Sequence, residues 1–317
     1  MPKTTGLGDN FYVGGYDLSG DVASLDTLSS PLDTINLTTL TFRAYVRTGG
    51  KRDGMISFTS FMDVNFPAIS TPGFPASNTP VANTFPYTIY ATITGGTLSN
   101  VLVNGVSAGT TAGTYAVPVN GTIAVVYTVA PTWSWFVRGT EHDALKGLPS
   151  TDVICSYFQG TTIGNPCASM NAKQVNYDPT RDNSANLTIK TDMQANGFGL
   201  EWGKQLTAGL RTDNAPTTGP FFDSGSLAIA GGCQAYLHLV ELVGTNVDVT
   251  VTHATTSGGS YTTLVDFGSQ TGIGAFRQVV TNTTQVNQFL KVVTTGTFTQ
   301  AVFAVNFVKN LTTGVTF

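Results

Sequence analysis

The residues able to do chemistry are few and dispersed. His142, His238 and His253 lack the close spacing that zinc sites favour. His238 alternates with Tyr236 and Val240 along an apolar run, so it reads as a packed or interface histidine. The three glutamates, Glu141, Glu201 and Glu241, lie in no pattern that pairs carboxylates for acid and base work, although such pairs can come from distant positions. Cys155, Cys167 and Cys233 are far from any C-x-x-C spacing and read as buried free thiols. No G-x-S-x-G elbow is present, and "GKQLT" lacks the upstream glycine and the hydroxyl residue after lysine that a phosphate-binding loop requires. In "DPTRDNSAN" the side chains of Asp178, Asp182 and Asn183 resemble calcium donors, but the spacing is not that of an EF-hand and Arg181 sits among them. Turn formation explains them better. Trp133 and Trp135 flank Ser134 on one strand face; a sugar platform and core packing both fit, and packing or an intersubunit contact is the stronger reading. The sequence therefore assigns no catalytic, cofactor-binding or metal residue, and the chain reads as a non-enzyme.

The elements that carry these residues are strands. Apolar and polar residues alternate with period two in segment after segment. In "LTIKTDM", Leu187, Ile189 and Met193 share one face; in "VDVTVT", Val247, Val249 and Val251 do. In "CASMNAKQVNY" the parity changes near Gln174, which predicts a bulge or bend, and "DPTRDNSAN" reads as the loop returning to the Leu187 strand. A single short helix is predicted over "GTEHDALKGLP", with capping spacing at Thr140 and Asp143 and a stop at Gly147 and Pro149.

Of the 317 residues, 41% are hydrophobic but only 11% are charged, well below the roughly 25% of ordinary soluble domains. Thr, Ser, Asn and Gly cover the surface instead, which suits neutral faces that pack against other subunits. A net charge of −4 disfavours an ordinary nucleic-acid binder. "MPKTTGLGDN" lacks the basic-then-apolar run of a secretion signal, so folding in a cytoplasm is expected.

Composition divides the chain in three. Residues 1–63 and 135–218 belong together, because neither piece supplies enough strands alone. Residues 64–134 combine a Pro-punctuated linker with a small inserted β domain of short strands and Gly-Gly and Asn-Gly turns. Residues 219–317 read as a C-terminal β-sandwich, with strands around Tyr236–Leu242, Val247–Thr252, Thr263–Phe267, Phe289–Val293 and Ala301–Val308. The fold class is all-β.

Three stretches carry a likeness: "GYDLSGDVASLDTLSSPLDTINLT", "GKRDGMISFTSFMD", and "LPSTDVICSYFQGTTIGNPCASMNAKQVNYDPTRDNSANLTIKTDMQANGFGLEWGKQLTAGLRTD". In this order they resemble the major tail protein, the tail tube subunit, of long-tailed siphovirus-type phages of actinobacteria, over roughly 1–62 and 136–220. "AYLHLVELVGTNVDVTVTHA" and "QFLKVVTTGTFTQAVFAVNFVKN" resemble the extra β domain some of these subunits display outside the tube. The resemblance implies a β-sandwich or barrel with one short helix, closing into stacked hexameric rings around a bore for double-stranded DNA, which passes without specific binding. It implies as partners further copies of the chain, a tape measure protein and tail-end proteins, with a host-surface glycan as a candidate on the outer domains. The location implied is the virion, after assembly in the host cytoplasm. No cofactor is implied.

Within this frame "QANGFGLEWGKQLTAG" reads as a turn whose glycines admit close backbone approach while Phe198, Leu200 and Trp202 anchor a neighbouring subunit. Filling of its own core by Trp202 stands as the alternative. Tyr177 and Arg181, on the hairpin 168–193, and the early loop 26–37 complete the expected contacts. The second function reading is a tail-associated glycan-binding protein built of β-sandwich domains.

Overall fold

Alternating sequence becomes strand wherever one face can be covered. A computed structural model describes residues 8–38, 47–62, 69–85, 88–118, 120–137, 144–148, 151–181, 187–225 and 228–311. The chain opens with β1 (Asn10–Val13), β2 (Tyr16–Asp17), β3 (Val22–Ser29), β4 (Leu32–Asn36), β5 (Arg47–Arg52) and β6 (Met55–Phe61). An inserted run follows: β7 (Val81–Ala82), β8 (Ile89–Thr94), β9 (Thr97–Val103), β10 (Val106–Gly109), β11 (Gly113–Val117), β12 (Thr122–Val129) and β13 (Thr132–Phe136). Next come β14 (Val153–Phe158), β15 (Pro166–Gln174), β16 (Asp178–Arg181), β17 (Leu187–Ala195), β18 (Glu201–Gln205), β19 (Arg211–Asp213) and β20 (Thr218–Asp223). The chain ends with β21 (Ile229–Ala230), β22 (Cys233–Ala254), β23 (Thr262–Gln270), β24 (Gly274–Val280), β25 (Gln285–Val286) and β26 (Phe289–Lys309). The described part is all-β. The helix expected over 139–149 falls mostly on 139–143 and 149, which lie outside the described residues.

Fifteen strands form one sheet with the path β2-β1-β14-β15-β18-β26-β22-β23, extended from β15 through β17 and β6 to β3. β18 is the fold line. It pairs with β15 (Ala168 opposite Trp202) and with β26 (Gln205 opposite Asn306), so β22 and β26 come to lie over β1, β14 and β15. Residues 233–239 of β22 are buried on both faces in consequence. Cys233, Ala235, Leu237 and Leu239 enter one core with Val249, Phe267, Phe303 and Val305. Tyr236 and His238 face the other layer, where Tyr12 packs near the His238 ring. A separate core beneath β1, β14 and β15 holds Phe11, Phe58, Met170 and Met193.

The predicted alternation is present: Ile189 and Met193 are buried, with Leu187 half-buried on the same face, and Val247, Val249 and Val251 are fully buried. Three local details differ from the sequence reading. Asp178–Arg181 is strand, not loop, because it pairs with Leu187–Lys190. The parity change near Gln174 is the end of β15, where the Gln174 amide donates to Leu145 O at 2.6 Å. The short strands expected at 236–252 and 289–308 are two strands of 22 and 21 residues. Register shifts around Val243–Asn246 let them bend without breaking, and Gly244, at φ 149°, lies where a Cβ would meet Phe298 Cα at 2.4 Å. The sheet also runs across position 218: β26 pairs with β18 and β19 before it and with β20 after it.

The inserted strands make two small sheets, β10-β9-β12-β7 and β11-β8-β13, around Ile89, Ile93, Val125 and Trp135. The predicted turns at Gly95-Gly96 and Asn104-Gly105 all have positive φ, as tight hairpins require. Val243 of β22 is buried in this core and ties the insertion to the large sheet.

Candidate functional site

The glycine-rich turn 197–203 solves a problem of backbone proximity inside the chain. A Cβ on Gly54 would lie 2.5 Å from Leu200 N, so the start of β6 and the turn can touch only if that position is bare. Ala195 N donates to Gly54 O at 2.8 Å, and Ser30 Oγ donates to Leu200 O at 3.2 Å. The turn thus clamps the base of the β4–β5 hairpin.

Its aromatic residues divide between inside and outside. Leu200 is buried in the core beneath β1 and β14. The Phe198 ring lies 3.8 Å from the Arg277 guanidinium, which also forks onto Glu201 at 3.1 and 3.2 Å. Tyr236 donates its hydroxyl to the same Glu201 carboxylate. Burial first, and then that carboxylate, raise the Tyr236 phenol above its ordinary range. Trp202, in contrast, is 51% exposed and lines a cleft of about 360 Å³ with Phe222, Phe307, Lys309 and Leu311. Tyr177 is half-buried against the same core as Leu200, and Arg181 is exposed at the end of β16. The structure therefore brings Phe198 and Leu200 into their own chain and leaves Trp202 and Arg181 facing outward.

Two margins are open. β4 and β5 pair only with each other among the described residues, and Leu32, Ile35 and Leu37 are each more than half exposed. Among the described residues β3 pairs only with β6, and beside it a cleft of about 470 Å³ is lined by Asp9, Phe11, Ser19, Val22 and Tyr157.

Sequence reasoning missed a polar seam buried between the layers. His238 Nε2 lies 2.8 Å from Ser156 Oγ, which lies 2.5 Å from Ser169 Oγ; Asn306 Nδ2 donates to Ser169 at 2.6 Å, and Cys167 Sγ donates to Asn306 Oδ1 at 2.8 Å. Thiol, imidazole and amide are the types of a nucleophilic triad, but the geometry is wrong for one. Burial pushes the Cys167 thiol well up and the His238 imidazole down to about 3, so neither carries the charge an activated pair needs. The seam is structural: it aligns four strands through hydrogen bonds that an apolar core lacks. The only sequence signal was a Ser, Cys or His at alternate positions of otherwise apolar strands.

Other candidates resolve similarly. Trp133 and Trp135 pack against each other at 5.3 Å, Trp133 donates its Nε1 to Pro72 O, and Phe74 covers it, so the pair belongs to the inserted core. Asp178 accepts from Asn176, while Asp182 and Asn183 lie outside the described residues. Among the described residues no three His, Cys, Asp or Glu side chains converge as a metal site. Cys155, Cys167 and Cys233 are free and buried.

No family model matches the chain, and no curated protein matches it. Among solved structures it is similar to the SPP1 Dit (gp 19.1) protein, described as a paradigm of the hub adsorption apparatus in phages infecting Gram-positive bacteria. The two are 9% identical, with a TM-score of 0.28, over 96% of this chain and 99% of that one. At that TM-score the likeness carries no argument about fold or function.

Proposed function

We propose that the chain is a self-assembling structural protein of a phage tail, a subunit of stacked hexameric rings that form the tube through which DNA leaves. On this reading it is not an enzyme, and its partners are other copies, a tape measure protein and tail-end proteins. One observation carries the proposal. An isolated two-stranded hairpin is marginal in water, yet among the described residues β4–β5 has no third strand and exposes Leu32, Ile35 and Leu37. A neighbouring copy that covers those side chains supplies what the hairpin lacks, and the free edge of β3 offers a second joint of the same kind. The sequence resemblance over 1–62 and 136–220 points the same way, and a sparsely charged wall suits a conduit from which phosphates must slide free.

Negative-stain microscopy of the purified chain tests it. Rings or hollow tubes are expected, whereas monodisperse monomers at high concentration would sink the proposal. A second reading, a tail-associated glycan-binding protein, is favoured by the face of β8 and β13 opposite Trp133 and Trp135, where Tyr90 stacks on Phe136 beside uncharged Thr and Ser side chains.

A further inference from the structure

Deepening that second reading, we infer that the outer face of the β11-β8-β13 sheet is a binding site for a neutral polysaccharide. Register places Tyr90 opposite Phe136, Thr92 opposite Ser134 and Thr114, and Thr94 opposite Thr132. Thr92, Thr94, Thr114, Thr132, Ser134 and Phe136 point away from the core occupied by Ile89, Ile93 and Trp135, and Tyr90 at the end of the row is half-buried against the same cluster. The face therefore carries two aromatic rings at one end and five hydroxyls along the rest, with no charged side chain at these positions.

Tyr90 and Phe136 stack at 5.7 Å with their planes 30° apart, and Phe136 is 40% exposed. They open onto a cleft of about 440 Å³ lined also by Thr114, Leu242, Thr271 and Ile273. That is the size of an ordinary small-molecule site. None of the lining residues is charged, so an ionised ligand would lose its hydration there without a counter-charge. A neutral sugar would not: its C–H faces lie on the rings and its hydroxyls meet threonines.

The hydroxyls are already ordered. Thr92 and Thr114 Oγ1 lie 2.8 Å apart, and Thr94 and Thr132 Oγ1 lie 2.9 Å apart. Each pair keeps acceptor capacity directed at solvent. Tyr90, Thr92 and Thr94 recur every second residue, so the row extends about 14 Å along the strand. That length fits a stretch of polymer better than a single sugar.

Affinity electrophoresis of the full chain through gels containing dextran, mannan or galactan, with hyaluronate as the anionic counterpart, tests the site. Retardation by at least one neutral polymer, and none by hyaluronate, is expected. Phe136→Ala should weaken it about tenfold, and Thr114→Val should weaken it several-fold, with melting of both variants unchanged. Retardation that both variants retain in full would overturn this site while leaving glycan binding elsewhere on the molecule. Equal retardation by hyaluronate would overturn the neutral specificity. No retardation by any neutral polymer would overturn the glycan reading and the site together.

Discussion

His238 shows how burial sets the behaviour of one side chain. Its Nε2 is held by Ser156, its Nδ1 has no hydrogen-bond partner among the described residues, and burial lowers its pKa from 6.5 to about 3. The unfolded chain takes up the proton near pH 6.5, but the folded chain does not until about pH 3. Stability therefore rises with pH across that window and is lost as pH falls through it, by up to ~1.4 kcal/mol per pH unit. Half-buried His253 is shifted in the same direction, by burial and then by Lys309, and adds to the trend. Urea midpoints measured from pH 6.5 to 5, above the carboxylate range, should fall for the parent. They should fall less steeply for His238→Gln; parallel curves would show that His238 is not the titrating group.

At the scale of elements, the hairpin β4–β5 and the turn 197–203 act as one device. The turn fixes where the hairpin leaves the body, through Ser30 Oγ donating to Leu200 O and through Leu200 N donating to Asp53 O at 3.4 Å. The hairpin then presents Leu32, Ile35 and Leu37 to whatever covers them. Ile35→Asp should leave the stability of the monomer within about 0.5 kcal/mol of the parent, since surface changes cost little. It should abolish rings or tubes in negative stain. Trp202→Ala, also at an exposed position, should weaken assembly without loss of fold. Leu200→Ala should instead unfold the monomer by about 2–5 kcal/mol, because that side chain is core. If Ile35→Asp assembles normally, the hairpin is not the joint.

The whole molecule is organised by two continuous strands that the domain proposal places after residue 218. β26 pairs with β18, β19 and β20, and β22 and β26 supply Tyr236, His238 and Asn306 to the layer beneath. A chain ending at 218 would leave one edge of β18 unpaired and uncover the seam, so it should be aggregated or lack a cooperative melting transition. Replacing 69–137 by a flexible linker should leave a cooperative fold, at a loss of about 1.5–3 kcal/mol for uncovering Val243; circular dichroism melts of the two constructions separate these outcomes. Much of this was legible in the residues. Alternation over 187–193 and 247–251, the Asn-Gly and Gly-Gly turns, and the burial of thiols in apolar runs are local properties, because the pleat repeats every two residues and a turn is made by its own backbone. The partner of each strand was not legible, since every strand offers the same backbone donors and acceptors and so carries little information about who accepts them. Only the tertiary structure decided that β18 joins β15 to β26, that 233–239 is covered on both faces, and that Leu200 turns inward while Trp202, two residues on, faces out.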